Sequence, residues 1–247
     1  MEVYLSLIIP AYNEASRRLR ENLNEILLFL RAQQYAWELI VVDDGSSDGT
    51  AEAAAAVASS TGERISVLRN ETNRGKGYSV RRGVLAAAGQ KVFFTDADLS
   101  TPIEEVNRCL PHLDKADIMI GSRALPESDI TVRQPPLREF AGRVFNVFAR
   151  LIAVKGFMDT QCGFKGFNRA AAQDIFARQR LPGYGFDVEV LYVANKLGYK
   201  IVEVPISWRD REASRLSAFH DGVKLLRDLA QVRVNDLKGL YEKRSRT

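Results

Sequence analysis

The chain has 247 residues, with 35 Lys and Arg against 31 Asp and Glu and a net charge of +4, which leaves room for one large α/β domain or two small ones of ordinary globular composition. No apolar stretch approaches the ~20 residues of a membrane span, and the first residues lack the basic-then-apolar order of a signal peptide. Cys109 and Cys162 show neither metal-ligand spacing nor a disulfide framework, which fits a reducing compartment.

Val3 to Ile9 reads as a buried strand that ends in Pro10-Ala-Tyr-Asn-Glu14. Ser16 is placed to cap a helix with Leu19, Leu23, Ile26, Leu27 and Leu30 at helical spacing. Trp37 to Val42 is a second strand, followed by the turn-rich Asp43-Asp44-Gly45-Ser-Ser-Asp48-Gly49-Thr50 and an alanine-rich helix. Ile65 to Leu68 makes a third strand, and Asn73-Arg-Gly-Lys-Gly77 opens a helix to about Ala88. A fourth strand, Lys91 to Thr95, runs into Asp96-Ala97-Asp98-Leu-Ser100. Pro102 then starts a helix expected from Ile103 to Leu113, and Asp117 to Gly121 is a fifth strand closing on Ser122-Arg123.

Strict alternation of strand and helix predicts a mostly parallel sheet with right-handed crossovers. Ligands of such sheets sit beyond the carboxyl ends of the strands. The Pro10–Glu14, Asp43–Asp48 and Asp96–Ser100 groups all fall there and are expected to share one crevice. In an extended strand end, Asp96 and Asp98 point the same way. Two such carboxylates repel each other, and a divalent cation that also grips a diphosphate relieves this. The alternative for the Asp-Ala-Asp alone is a strand end with two solvated acids. Lys76 is read either as lying near a phosphate or as part of a mere turn, because the full P-loop pattern is absent.

After Arg123 come a proline-rich loop and a strongly amphipathic helix, Leu137 to Val154. Its stripe is Leu137, Phe140, Ala141, Val144, Phe148, Leu151 and Ile152, with Arg138, Arg143 and Arg150 largely off it. That pattern suits either a helix on an anionic membrane surface or one packed on its own domain. Helices are further expected near Ala170 to Arg178 and from the Gly183–Glu189 turn to Leu197, where Gly198 stops the second. Asp187 at that helix start is either a general base or an acid favoured by the helix dipole. Ile201 to Trp208 reads as one strand, with Pro205 at an edge or beside a bulge. A last amphipathic helix uses Phe219, Val223, Leu226, Ala230, Leu237 and Leu240, before a basic tail, Lys243 to Thr247. Cys162 is read as a packed small residue.

The succession Ile-Pro-Ala-Tyr-Asn-Glu, Val-Val-Asp-Asp-Gly-Ser-Ser-Asp-Gly-Thr, Asn-Arg-Gly-Lys-Gly and Asp-Ala-Asp resembles the family 2 inverting glycosyltransferases of GT-A fold. Asp159-Thr-Gln-Cys-Gly-Phe-Lys, Gly185-Phe-Asp-Val-Glu and Val204-Pro-Ile-Ser-Trp with Ser214-Arg-Leu are similar to the polyprenyl-phosphate hexosyltransferases, above all the dolichyl-phosphate β-glucosyltransferases and then the mannose synthases. The resemblance spans about Leu5 to Leu216. It implies a catalytic domain over 1–215, with a nucleotide-sugar half (1–123) and an acceptor half (124–215), and a C-terminal helix and tail over 216–247. It implies that Pro10, Tyr12, Glu14 and Asp44 hold the nucleotide, with Lys76, Asp96 and Ala97 beside it. Asp96, Asp98 and Ser100 would hold Mg²⁺ or Mn²⁺. Arg123, Arg138, Arg211 and Arg215 would gather phosphates, and Asp98, Asp187 and Arg123 would carry catalysis.

The resemblance further implies transfer of a hexose, glucose from UDP-glucose before mannose from GDP-mannose, to a polyprenyl phosphate on the cytoplasmic face of a membrane. Contact with that membrane would come from surface helices or a partner, and the expected protein partners are a membrane protein or, in a homo-oligomer, a second copy. A phosphate acceptor is already anionic near neutral pH, so it needs no strong base, and arginine forks match its oxygens. A hydroxyl acceptor on a sugar, protein or cell-wall precursor would need a carboxylate base. The remaining readings are a membrane-surface module that kept the fold without catalysis, against which the intact Asp-Ala-Asp speaks, and nucleic-acid binding, which lacks exposed stacking aromatics. No nucleic acid is expected as partner.

Overall fold

A computed structural model describes residues 2–132, 156–211 and 218–242. The expected 137–154 helix with Arg138, Arg143 and Arg150, the loop position Arg215 and the tail from Lys243 lie outside the described residues.

Seven strands form the main sheet in the order β3-β2-β1-β4-β7-β5-β8. They are β1 (Leu5–Ala11), β2 (Trp37–Asp43), β3 (Ile65–Arg69), β4 (Lys91–Phe94), β5 (Ile118–Ser122), β7 (Lys165–Asn168) and β8 (Ile201–Pro205). All neighbours pair in parallel except β7, which runs antiparallel between β4 and β5. A small second sheet pairs β6 (Asp129–Val132) with β9 (Ser207–Arg209). The α-helices are α1 (Leu19–Arg31), α2 (Thr50–Thr61), α3 (Lys76–Ala86), α4 (Glu105–Cys109), α5 (Arg169–Arg178), α6 (Phe186–Leu197) and α7 (Ala218–Leu237).

The central strands are continuous apolar runs because both their faces are covered. On one face Ile8, Val42, Phe94, Ile120 and Phe167 pack with α3, α5, α6 and α7. On the other, Leu7, Ile9, Val41, Phe93 and Met119 pack with α1, α2 and α4. Burying each such side chain stabilises by about 1.5–3 kcal/mol. Strand order reverses between β1 and β4, and that switch point opens the crevice in which ligands of doubly wound sheets bind.

Several expected elements differ. Ser16 does not cap α1; it lies in a short 3-10 turn, Ala15–Arg17, and Arg18 breaks the chain with φ 65° before α1 begins. The helix expected over 103–113 is α4 followed by a 3-10 turn, Leu110–Asp114, because Pro111 cannot donate a backbone hydrogen bond. The strand expected over 201–208 is two: β8 stays in the main sheet and, past Ile206, β9 crosses to the small one. The inward side of the last helix is also shifted. Leu229, Val232 and Asn235 are buried, whereas Leu226 and Leu237 are exposed. Strand β7 was not expected at all.

Candidate active site

The loops after β1 and β2 are tied together at the switch point. The Asp44 amide donates to Ala11 O at 2.8 Å. The Asn13 amide donates to Ser46 Oγ at 2.9 Å, and the Glu14 amide to Thr50 Oγ1 at 2.8 Å. Pro10 sits in register with Val42 at the end of β1, with an exposed Tyr12 just beyond the strand.

Asp44 is buried and builds the next loop. Its carboxylate accepts from Asn70 Nδ2 at 2.7 Å, from the Arg74 amide at 2.9 Å and from the Gly75 amide at 2.7 Å. Gly75 has φ 97°, and a Cβ there would collide with Pro182 O, so only glycine fits this turn. A Cβ on Gly77 would likewise meet Leu181 O and Phe186. The start of α3 is therefore pressed against the 181–186 turn, and Lys76, its first residue, is held at a fixed distance from the end of β4.

There Lys76 Nζ lies 2.5 Å from Asp96 Oδ1. Burial alone would lower the Lys76 pKa, but the charges of Asp96 and Asp187 outweigh it and raise it. A Cβ on Gly163 would collide with the Asp96 carboxylate, so the glycine of the Gln161-Cys-Gly-Phe164 stretch makes room for that side chain. Asp98 Oδ1 accepts from the Ser100 amide at 2.8 Å. Burial and the neighbouring charge of Asp96 raise the Asp98 pKa. Ala97 is buried between the two aspartates, and its carbonyl accepts from Asn22 Nδ2 at 2.9 Å. Asn22 Oδ1 in turn accepts from Arg211 Nη1 at 3.1 Å, which places Arg211 on the Asp96–Asp98 turn through one intermediate.

Two further ion pairs line the same end of the sheet. Lys165, fully buried on β7, lies 2.5 Å from Asp187 Oδ1 and donates to Cys162 O at 2.6 Å. Burial raises the Asp187 pKa against the opposing charges of Lys165 and Lys76. Arg123, at the end of β5, holds Asp159 with two bonds, Nε to Oδ2 at 2.7 Å and Nη2 to Oδ1 at 2.9 Å. Its guanidinium also lies 5.6 Å from the Trp208 ring centroid. Burial acts to raise the Asp159 pKa, but Arg123 outweighs it and holds the carboxyl below its ordinary value. Burial pushes the Cys162 thiol up to about 12, in keeping with a packed, unreactive cysteine.

The geometry thus brings together Asp96, Ala97, Asp98, Ser100, Lys76 and Asp187, with Arg123 and Arg211 fixed nearby. Asp96, Asp98, Asp187 and Asp159 are matched in number by Lys76, Lys165, Arg123 and Arg211, but Asp98 is paired with none of them. Among the described residues no set of three His, Cys, Asp or Glu could hold a metal by itself. Two carboxylates, one of them disfavoured as an anion by burial and by the charge of the other, fit a cation whose remaining ligands are phosphate oxygens of a substrate. Asn22, Asp159, Gly163 and Lys165 were not singled out from the sequence. The last three lie in or beside the Asp159–Lys165 motif, which was the available signal; Asn22 sat unmarked on an amphipathic helix.

A doubly wound sheet with this carboxylate pair at its switch point has the architecture of the GT-A glycosyltransferases. The family model for glycosyl transferase family 2 matches residues 6–176. A dolichyl-phosphate beta-glucosyltransferase of Dictyostelium discoideum is 35% identical over 255 residues, covering 98% of this chain and 78% of that one. The enzyme of that name from Homo sapiens is 33% identical over 250 residues, covering 96% and 77%. Among solved structures, glucosyl-3-phosphoglycerate synthase from Mycobacterium tuberculosis in complex with Mn²⁺, uridine diphosphate and phosphoglyceric acid matches with a TM-score of 0.66 at 20% identity, covering 99% of this chain and 80% of that one. Mannosyl-3-phosphoglycerate synthase from Rubrobacter xylanophilus matches with a TM-score of 0.67 at 20% identity, covering 99% and 77%. The chain belongs to glycosyl transferase family 2 and is a glycosyltransferase.

Proposed function

We propose that the chain transfers glucose from UDP-glucose to a dolichyl or other polyprenyl phosphate at a membrane surface, with inversion at the sugar carbon. The relatives' printed activity supports the glucosyl and lipid-phosphate parts. The observation that carries the acceptor is the state of Asp187. A hydroxyl acceptor would need a carboxylate free to take its proton. Asp187 is instead buried and held 2.5 Å from the buried Lys165. A lipid phosphate needs no such base, and Asp187 then serves to hold Lys165 and to face Lys76.

In this reading an oxygen of the acceptor phosphate attacks the anomeric carbon on the face opposite the diphosphate. The bond from that carbon to the leaving oxygen breaks, and its electron pair stays on the nucleotide diphosphate. Asp96 and Asp98, with Ser100 beside them, would hold Mg²⁺ or Mn²⁺, which when bound supplies positive charge to the leaving group. Lys76 reaches the same diphosphate from the start of α3. The loops of Pro10, Tyr12, Glu14 and Asp44 bind the nucleoside, Asp44 by shaping the 73–77 turn. Arg123, oriented by Asp159, and Arg211, oriented by Asn22, receive phosphate oxygens, and positioned donors of this kind are worth about 10²–10³ in rate. The halves 1–123 and 124–215 then divide donor from acceptor, on the cytoplasmic side of the membrane, and peripheral attachment follows from surface helices.

The test is a panel of UDP-glucose, GDP-mannose and UDP-N-acetylglucosamine, each with and without a polyprenyl phosphate and Mn²⁺. The expected result is a glucosyl lipid phosphate from UDP-glucose alone, lost with EDTA and in Asp98→Asn. Transfer from GDP-mannose would reassign the donor. Efficient transfer to a soluble hydroxyl acceptor would overturn the lipid-phosphate reading.

A further inference from the structure

The Asp-Ala-Asp turn already contains a cation of its own. Lys76 Nζ sits 2.5 Å from Asp96 Oδ1, where it offsets the charge that Asp96 would otherwise present to Asp98. The backbone that carries Lys76 packs closely on the 181–183 turn, since a Cβ on Gly75 or Gly77 would collide with Pro182 O or Leu181 O, and the Tyr78 amide donates to Pro182 O at 3.1 Å. The ammonium, at the end of a flexible stem, is the part free to swing. The anions within its electrostatic reach are Asp96, Asp98 and Asp187; the first two are the carboxylates a metal would take, and Asp187 is already paired with Lys165.

We infer that Lys76 is the resident counter-ion of Asp96 in the nucleotide-free site, and that the donor's diphosphate removes it, so that nucleotide and divalent cation bind cooperatively. This rests on the metal-and-nucleotide reading given above. A divalent ion on Asp96 meets the like charge of the ammonium a few ångströms away and must share or displace it. Without a nucleotide the metal occupies Asp96 and Asp98, Asp187 is paired with Lys165, and the displaced ammonium is left without a counter-charge, so the metal binds weakly. With a diphosphate present, Lys76 transfers its hydrogen bonds from the Asp96 oxygen to a phosphate oxygen, and both carboxylates become available to the metal. Linkage requires the reverse effect as well: the metal strengthens nucleotide binding by the same factor. Lys76 is thus a positioning residue for the order of assembly.

The experiment is calorimetric titration of Mn²⁺ into the whole chain, with and without UDP, for the parent protein, Lys76→Gln, Lys76→Met and Asp98→Asn, each checked by its thermal midpoint. The parent is expected to bind Mn²⁺ at least about tenfold more tightly with UDP than without. Lys76→Gln and Lys76→Met are expected to bind Mn²⁺ without UDP about tenfold more tightly than the parent, and to gain less from UDP. A structural role for Lys76 alone would not tighten metal binding. Unchanged or weaker Mn²⁺ affinity in the Lys76 variants overturns the inference. So does equal affinity with and without UDP in the parent, a result that needs no variant to fold. Mn²⁺ binding that survives undiminished in Asp98→Asn with UDP would instead overturn the underlying metal reading.

Discussion

Asp159 illustrates how one carboxylate at this site joins stability to chemistry. It accepts the Arg123 amide at 3.1 Å as well as the two guanidinium bonds, and the Gln161 amide at 3.2 Å. Its own amide donates to Glu203 Oε1 at 2.8 Å. Asp159→Asn leaves Arg123 without its counter-charge in a mostly dry place. Breaking a fully buried pair costs about 3–5 kcal/mol, and with Arg123 partly exposed a loss of about 2–3 kcal/mol is expected. The pH dependence has a definite sign. The folded-state pKa of Asp159 lies below its unfolded value, so its stabilisation is complete above the ordinary aspartate value of about 3.9 and fades as pH falls through the folded value. Chemical denaturation of parent and variant at several pH values checks this: the gap should be constant from pH 7 to 5 and close below about 4. A gap that widens on acidification would mean that Asp159 is not the anion of this pair. Activity should fall too, since Arg123 loses the orientation that aims it at phosphate.

The C-terminal helix bears on the site through the 180–186 turn. Tyr241, just beyond α7, is fully buried. Its hydroxyl donates to Glu189 Oε1 at 2.5 Å and accepts from Asn235 Nδ2 at 3.0 Å. Glu189 also accepts the Arg180 amide at 2.9 Å and the Leu181 amide at 2.7 Å, and so shapes the turn against which the start of α3 rests. Tyr241→Phe removes one donor from a buried carboxylate and is expected to cost about 1–3 kcal/mol. It should also weaken UDP binding without any contact to nucleotide, through the 180–186 turn and Lys76. Thermal melts and UDP titration read both effects, and a change in stability alone would confine Tyr241 to packing. This part of the fold was the least legible in the sequence. Strands β1, β2, β4 and β5 declared themselves as apolar runs and the edge strand β3 as a short one, and Gly198, with φ 82°, stops α6 where expected. The Asp-Ala-Asp turn stood out because acids follow a strand end there. Strand β7 gave no such signal, because Lys165-Gly-Phe-Asn168 has no apolar period. It is a strand only because it is paired on both sides, with Gly166 against the Phe93 ring. The phase of α7 was misjudged for a related reason. Its inward face includes the polar Asn235, which is buried to serve Tyr241, while leucines at 226 and 237 face outward. Partners distant in sequence made these choices, and local periodicity does not carry them.

On the scale of the whole molecule the open matter is how a protein whose described residues include no helix able to cross a membrane reaches a lipid-borne acceptor. Net charge is no help by itself, since +4 on 247 residues is modest. Its placement matters more: from Arg133 to Lys155 five basic residues accompany one acid, on the segment that carries Phe140, Val144, Phe148, Leu151 and Ile152. If that stripe enters the headgroup region, each of Arg138, Arg143 and Arg150 near an anionic surface adds roughly 1 kcal/mol, together about a hundredfold in partitioning. The prediction is sedimentation of the chain with vesicles containing anionic lipid, and little with neutral ones. Binding should fall as salt rises, since the charge attraction is screened over about 8–10 Å near physiological ionic strength. Phe148→Asp separates the two roles the stripe could have. On a membrane-facing helix it removes an apolar contact and adds a repelled charge, so vesicle binding drops while the thermal midpoint stays within a degree or two of the parent, as surface substitutions do (about ±0.5 kcal/mol). In a core it buries an unpaired carboxylate, and the protein melts many degrees lower. The second result would make the stripe interior packing, and membrane contact would then have to come from the exposed leucines of α7 or the basic tail.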